Sequence, residues 1–202
     1  MVSLVLDETG SMVSHQTETV SGFNAYVKEL KEKGGNIAFT LTRFNALKTV
    51  TPYEGTPIKD VAELKDYRPD SWTPLYDAIG KTITSLDRAL QKRTDKPAVL
   101  FVVMTDGEEN ASKEFSGIQI RDLIKTREAA GWDFVYLGAD HDAWNQAGGL
   151  GFGRANTVSY DKDNTVQVMT RMSGQTMSYV TANAAGASVN RADLGFDDKK
   201  KK

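Results

Sequence analysis

The sequence predicts a doubly wound α/β domain, and three observations support this fold class. Short runs rich in apolar and β-branched residues alternate with segments of helical periodicity, which is the pattern of a sheet covered by helices. Two of the runs, residues 2–6 and 98–104, are apolar rather than alternating, as strands buried on both faces are. The chain has 202 residues, a length that suits one domain with a sizeable core. We therefore expect a mostly parallel sheet with helices on both faces.

Six runs are predicted to be strands. In chain order they are residues 2–6, 37–44, 47–53, 98–104, 134–137 and 157–160. The second and third runs are separated only by Asn45 and Ala46. This is hairpin spacing, so the third strand is predicted to be an antiparallel edge of the sheet. The first and fourth runs are predicted to be the two central strands, because buried parallel strands lack a polar alternation.

Between the strands, apolar residues recur every three or four positions, which is the spacing of an amphipathic helix. The segments are residues 20–30, 79–90 and 120–124. Residues 162–187 are also predicted to be helical, although two glycines within them lower the helix propensity. We expect the domain to span residues 1–190 and a charged, solvated tail to occupy residues 191–202.

Composition excludes several classes of function. The chain has no cysteine and only two histidines, so a disulfide scaffold, a thiol nucleophile and a thiolate zinc site are excluded, and a bound metal would need oxygen ligands. The net charge is −2 although the last four residues are lysines, so the rest of the chain is acidic and nucleic acid is a poor partner. No apolar run approaches the roughly 20 residues of a membrane span. We expect a cytoplasmic protein that does not bind membranes.

Three predicted strands each end at a carboxylate: Asp7, Asp106 and Asp140. Ligands of open α/β sheets bind beyond the carboxyl ends of the strands. If the first and fourth strands are parallel neighbours, Asp7 and Asp106 lie within reach of one ion. Thr9 and Ser11 follow two and four residues after Asp7, and a loop can turn both hydroxyls toward the same point. A role in helix capping and turns alone is the structural alternative.

A second polar cluster precedes the predicted helix at residues 79–90. Thr73 is followed by Pro74, which is typical of an N-cap with proline at the first helical position. The positive end of that helix would attract an anion. Trp72 lies in the same predicted loop, where core packing and partner recognition are both open interpretations.

Three separated motifs occur together. They are Asp7-x-Thr9-x-Ser11 after the first strand, Thr73 at the start of a middle helix, and Thr105-Asp106-Gly107 after the fourth strand. In type and order they resemble the metal-ion-dependent adhesion site (MIDAS) of von Willebrand factor A domains, and the resemblance covers nearly the whole chain in element order. It implies the sheet order 3-2-1-4-5-6 and a divalent ion at the carboxyl end of the sheet. Thr9 stands where the family more often has serine, which keeps the hydroxyl oxygen.

The resemblance also implies roles for the residues. Thr9 and Ser11 would bind the ion through their hydroxyls, Thr73 directly or through water, and Asp7 and Asp106 mainly through bridging water. Mg²⁺ is the expected ion, with Mn²⁺ and Ca²⁺ as alternatives, because all three prefer oxygen ligands. A site built mainly of neutral hydroxyls leaves an ion able to take an anion from outside. The expected function is therefore a protein- or peptide-binding module, not an enzyme, whose partner supplies an Asp or Glu carboxylate.

Other residues are predicted to surround this site and to contact a partner. They are Glu8, Trp72, Glu108, Glu109 and Asp140. The glutamates would disfavour a generally acidic surface, so specificity would come from the contrast between an acidic rim and a site for one carboxylate.

Two alternative functions stay open at this point. The segment from Asp7 to Ser11 is also similar to the Asp-Lys-Thr-Gly-Thr motif of aspartyl-phosphate enzymes of the haloacid-dehalogenase-like class, in which Asp7 would be a covalent nucleophile. Against this, those enzymes have a flap between the first strand and the first helix, whereas here the loop is short. The third hypothesis is a scaffold of the von Willebrand factor A fold that binds no metal.

Overall fold

A computed structural model describes residues 1–139 and 143–186. The strands are β1 Val2–Asp7, β2 Ala38–Phe44, β3 Thr49–Pro57, β4 Val99–Thr105, β5 Trp132–Gly138 and β6 Thr157–Ser159. The helices are α1 Gln16–Lys33, α2 Leu75–Gln91, α3 Gly117–Ala129, α4 Ala143–Gly149 and α5 Thr165–Ala184. The predicted tail at residues 191–202 lies outside the described residues, so its boundary stays a prediction.

All six strands form one sheet in the order β3-β2-β1-β4-β5-β6. Only the β2–β3 pair is antiparallel, and the other four pairs are parallel. This confirms the predicted order and the predicted antiparallel edge. Every residue of β1 and β4 is buried, as expected for the central strands. Because β1 and β4 are parallel neighbours, Asp7 and Asp106 come to the same edge of the sheet.

The two faces of the sheet bury separate apolar clusters. Alternate residues of a strand point to opposite faces, so Leu4 and Leu6 pack on one side of β1 and Val5 packs on the other. The first face is covered by α1 and α5, and the second by α2, α3 and α4. Each large apolar side chain that folding removes from water contributes roughly 1.5–3 kcal/mol. The sheet is therefore a firmly packed support for the loops at its ends.

A long segment between β3 and α2 runs over the first face. Its side chains Val61, Leu64 and Tyr67 are buried in that apolar cluster. Every third residue is therefore buried, which is the period of a polyproline II-like extended chain. Long ordered loops in compact domains are often functional. This one carries residues 70–74 to the carboxyl end of the sheet, where the predicted site lies.

Several elements have other bounds than predicted, and one helix was not predicted; β5, for example, is Trp132–Gly138 where 134–137 was predicted. The edge strand β3 begins later and ends later than predicted, at Thr49–Pro57. The helix α4, Ala143–Gly149, was not predicted, because seven residues are too few to show a helical period. Within the described ranges, no helix is both long and apolar enough to cross a membrane.

Candidate metal centre

The buried carboxylate of Asp7 organises the loop after β1. Its Oδ1 accepts a hydrogen bond of 2.8 Å from the backbone N–H of Thr9, and its Oδ2 accepts one of 2.5 Å from the hydroxyl of Thr105. The hydroxyl of Tyr67 donates to the Asp7 backbone carbonyl. Burial raises the pKa of Asp7 to about 6, although the hydrogen bonds from Thr105 and Thr9 oppose the rise. These contacts hold the loop against both central strands.

Three hydroxyls meet beside this carboxylate. The Thr73 hydroxyl donates to Thr9 Oγ1 at 3.2 Å, and the Thr9 and Ser11 oxygens are also 3.2 Å apart. The Ser11 hydroxyl donates to Asp106 Oδ1 at 2.6 Å. Since Ser11 has one proton and gives it to Asp106, Thr9 donates to Ser11. The five predicted ligands therefore lie together, and we call Asp7, Thr9, Ser11, Thr73 and Asp106 the oxygen cluster.

The loop after β4 approaches this cluster closely. A Cβ atom at Gly107 would lie 3.1 Å from Thr73 Oγ1 and 3.2 Å from Ser11 Oγ, which is tighter than ordinary van der Waals contact, so a larger residue there would push on both hydroxyls. Asn110 accepts a hydrogen bond from the Thr73 backbone N–H at 2.8 Å and donates from its own backbone N–H to the Thr73 carbonyl. Asn110 thus fixes the backbone of Thr73, a role that the sequence pattern did not reveal.

A lysine from a distant segment also reaches the cluster. Lys162 lies in a short 3-10 turn before α5, and its Nζ is 2.8 Å from Asp106 Oδ2. This oxygen is buried, and its contact with Lys162 is an ion pair without a directed hydrogen bond. The lysine side chain is 29% exposed. No motif in the sequence pointed to Lys162.

The donor set fits a hard divalent ion. Its ligands are all oxygens, and each hydroxyl of the cluster keeps at least one free lone pair after the hydrogen bonds described above. The buried Asp106 Oδ2 has its ion pair with Lys162 but no hydrogen bond. Among residues 1–139 and 143–186, no group of three or more His, Cys, Asp or Glu side chains could hold a metal. An ion here would therefore depend on hydroxyls and water, a pattern that suits Mg²⁺, which retains several waters.

Glu8 does not lie on the rim of this site, which corrects the sequence prediction. Its side chain is fully buried. Oε1 accepts a hydrogen bond of 2.7 Å from the Arg68 backbone N–H and lies 3.5 Å from Lys48 Nζ, and Oε2 lies 3.7 Å from Arg43 Nε. Two cations from neighbouring segments thus compensate the carboxylate, and Glu8 joins loops inside the protein instead of facing a partner.

Glu109 also turns inward. Its Oε2 accepts a 2.8 Å hydrogen bond from the Tyr76 backbone N–H in the first turn of α2, and its Oε1 accepts from the backbone N–H groups of Ala111 and Ser112. Helix α2 begins at Leu75 and has no side-chain cap at its N-cap residue. The predicted N-cap role of Thr73 is therefore wrong, because the Thr73 hydroxyl contacts Thr9. The helix end predicted to attract an external anion already holds Glu109.

Two of the predicted rim residues are at the surface. Glu108 is exposed, and Trp72 is 68% exposed. Asp140 lies outside the described residues, so its prediction is neither supported nor contradicted. The acidic rim of three glutamates is thus reduced to Glu108.

No protein-family model matches the sequence, and no curated protein matches it. Solved structures do match. Manganese-loaded TRAP protein of Plasmodium vivax has a TM-score of 0.61 at 16% identity, over 82% of this chain and 70% of that chain. A von Willebrand factor type A structure from Catenulispora acidiphila has a TM-score of 0.60 at 10% identity, over 87% of this chain and 42% of that chain. The pilus adhesin SpaC of Lactobacillus rhamnosus GG, in an open conformation, has a TM-score of 0.66 at 11% identity, over 89% of this chain and 30% of that chain.

These similarities concern the fold. The chain has the α/β architecture of von Willebrand factor A-type domains, with a six-stranded sheet of the predicted order. It spans less than half the length of two of the three structures.

Proposed function

We propose that this chain is a protein- or peptide-binding module that holds a divalent ion, preferably Mg²⁺, at the oxygen cluster. One observation carries the proposal. Two carboxylates and three hydroxyls from three separate segments meet at one point, and the buried Asp106 Oδ2 there has an ion pair with Lys162 but no hydrogen bond. A divalent ion supplies an electrophilic centre that accepts a carboxylate from outside, so the expected partner provides an Asp or Glu side chain.

The residues of the cluster divide into two roles. Thr9, Ser11 and Thr73 offer neutral oxygen ligands, and their mutual contacts of 3.2 Å are long for O–H···O hydrogen bonds. Little free energy is therefore lost when these lone pairs turn to a metal. Asp7 and Asp106 supply the negative charge, and Asp7 also positions the Thr9 backbone. That manganese-loaded TRAP protein has a similar fold supports the view that this architecture accommodates such an ion.

The binding function is favoured over the aspartyl-phosphate alternative by the environment of Asp7. Both of its carboxylate oxygens accept hydrogen bonds, and the side chain is fully buried. A nucleophile needs an oxygen that an incoming phosphate can reach. We propose that the protein does not hydrolyse phosphate esters, and incubation with beryllofluoride and Mg²⁺ tests this. An adduct on Asp7 would support the enzyme instead.

The metal proposal is tested by thermal and chemical unfolding with MgCl₂, MnCl₂ or CaCl₂ against EDTA. At roughly 100 times its Kd, an ion that binds only the folded state adds about 2.7 kcal/mol to the free energy of unfolding. For a chain of this size that is a rise of several degrees in Tm. Ser11→Ala is expected to reduce the rise strongly. Ser14→Ala is the matched control, because Ser14 is an exposed serine in the same 3-10 turn.

A wild-type protein that saturating metal does not stabilise would contradict the metal proposal and favour the metal-independent scaffold. An equal loss of stabilisation in Ser11→Ala and Ser14→Ala would indicate that metal binds elsewhere.

A further inference from the structure

Large apolar side chains are exposed around the oxygen cluster. Within the described part of the chain, four such side chains are exposed: Val13 at 58%, Leu47 at 71%, Trp72 at 68% and Ile118 at 72%. The first three lie in loops that adjoin the cluster, and we call Val13, Leu47 and Trp72 the apolar rim. Single exposed apolar residues are ordinary, but three of these four border one site.

The three rim residues belong to loops that are tied to the cluster. Val13 lies in the 3-10 turn Gly10–His15 that directly follows Thr9. Leu47 lies in the hairpin between β2 and β3, next to Ala46, whose backbone N–H donates to the Trp72 carbonyl at 3.0 Å. Trp72 itself precedes Thr73. The rim and the oxygen ligands therefore share the same segments of backbone.

The backbone that presents Trp72 is held in a strained conformation. Ser71 has φ of 68°, and it is the one non-glycine residue with positive φ among those that the structure describes. Its carbonyl accepts a hydrogen bond of 2.8 Å from Gly10. A non-glycine residue in this region is strained, and such strain concentrates at ligand sites. The contacts on both sides of Trp72 thus fix its backbone while its indole stays in solvent.

We propose that the apolar rim binds a large apolar side chain of the same partner segment whose Asp or Glu reaches the oxygen cluster. This inference rests on the proposed function and specifies its ligand. Trp72 directly precedes Thr73, so their Cα atoms are about 3.8 Å apart, with the Trp72 side chain in solvent and the Thr73 hydroxyl in the oxygen cluster. An extended segment advances by about 3.3 Å per residue. We therefore expect the apolar residue of the partner within two positions of the acidic residue.

The charges around the rim indicate how acidic that segment is. Lys48 and Arg68 are exposed on this side of the cluster, and Asp70 and Glu108 are exposed as well. Because the signs are mixed, the surface gives no general attraction to a run of acidic residues. The occupant is thus a segment with one acidic residue and one large apolar neighbour. Tryptophan is the residue type most often found to dominate such contacts.

The test is selection of a phage-displayed random-peptide library on the whole protein with MnCl₂ and MgCl₂, followed by elution with EDTA. Eluted peptides are expected to share an Asp or Glu with a Trp, Phe, Leu or Ile within two positions. Synthetic peptides from the selection are then measured by fluorescence polarisation. Trp72→Ala is expected to weaken their binding about tenfold or more, and Trp72→Phe is expected to retain most of it.

The controls separate this inference from the proposed function. Ile118→Ala removes an equally exposed side chain in α3 and is expected to leave peptide affinity unchanged. Metal affinity, measured by calorimetry, is expected to be unaffected by Trp72→Ala. Two results would contradict binding at the apolar rim and leave the metal-dependent function supported. In the first, peptides eluted with EDTA share an acidic residue but no apolar neighbour. In the second, the peptides bind Trp72→Ala as tightly as wild type. If no peptide elutes with EDTA, both proposals fail.

Discussion

Two groups of polar residues lie side by side at the carboxyl end of the sheet, and they differ in how their oxygens are satisfied. In the oxygen cluster, hydroxyls contact one another at 3.2 Å and Asp106 Oδ2 has an ion pair but no hydrogen bond. The other group, which we call the strap, joins the loop after β4 to the start of α2 through Asp77 and Glu109. Its carboxylate oxygens all accept backbone N–H groups.

In the strap, Asp77 is a carboxylate with a structural role, because backbone N–H groups satisfy both of its oxygens. Asp77 accepts hydrogen bonds from the backbone N–H groups of Lys113, Glu114 and Phe115, at 2.8–2.9 Å. Burial by itself raises the pKa of Asp77, but these amides and the charge of Lys81 lower it below the usual range. For Asp7, burial prevails and raises the pKa to about 6. The hydrogen bonds of the strap therefore outweigh the burial of the Asp77 carboxylate, whereas the hydrogen bonds to Asp7 do not outweigh its burial.

Removing Asp77 is expected to give the largest loss of stability. Asp77→Ala leaves three backbone N–H groups without acceptors, and we expect a decrease of about 4 kcal/mol in the free energy of unfolding, measured with urea. Because the folded-state pKa is lowered, this contribution is full above the unfolded-state pKa of about 4 and is lost as the pH falls through the folded-state value. The difference from wild type therefore shrinks in acid. Metal stabilisation of the folded protein is expected to persist.

The control for this prediction is Asp70→Ala. Asp70 is exposed, and its removal is expected to change stability by less than about 0.5 kcal/mol. Equal effects of the two substitutions, or an effect of Asp77→Ala that does not depend on pH, would mean that the strap does not stabilise the loop through the Asp77 charge.

Removing the charge of Asp106 is expected to abolish stabilisation by metal while leaving the metal-free protein almost as stable as wild type. Asp106→Asn keeps the shape of the side chain but removes the charge, so the metal-dependent gain of about 2.7 kcal/mol at roughly 100 times the Kd is expected to disappear. The metal-free protein is expected to stay within about 1 kcal/mol of wild type, because Lys162 is partly exposed and can be solvated. Unfolding with Mg²⁺ and with EDTA measures both quantities. Undiminished metal stabilisation would remove Asp106 from the site.

Removing Lys162 is expected to have the smallest effect of the three. Lys162→Met takes away a positive charge close to the proposed ion, and at several ångströms in water such repulsion amounts to about 1–2 kcal/mol for a divalent ion. We expect roughly tenfold tighter metal binding by calorimetry. Lys92→Met, at the far end of α2, is the control and is expected to leave the affinity unchanged. Weaker metal binding in Lys162→Met would mean that this lysine supports the loaded site.

The sequence by itself determined the six strands, most of the helices and the local part of the site. The apolar runs specified β1 and β4, because strands buried on both faces tolerate few polar residues. The short gap between the second and third predicted runs specified the antiparallel edge, although the loop between β2 and β3 in the structure has four residues, 45–48. Asp7, Thr9 and Ser11 are close in sequence, so their convergence follows from one short loop. Parallel neighbouring strands then brought Asp106 to the same point.

Only the tertiary structure decided the surroundings of that site. Glu8 and Glu109 have no local feature that distinguishes them from the exposed Glu108. In the structure, however, the charge of Glu8 is compensated by Arg43 and Lys48. Glu109 accepts hydrogen bonds from backbone N–H groups of α2 and of its own loop. Lys162 reaches Asp106 from a segment after β6. The orientation of a polar side chain depends on which donors and acceptors the folded chain brings near it. Those partners are distant in sequence, so no local pattern specifies them.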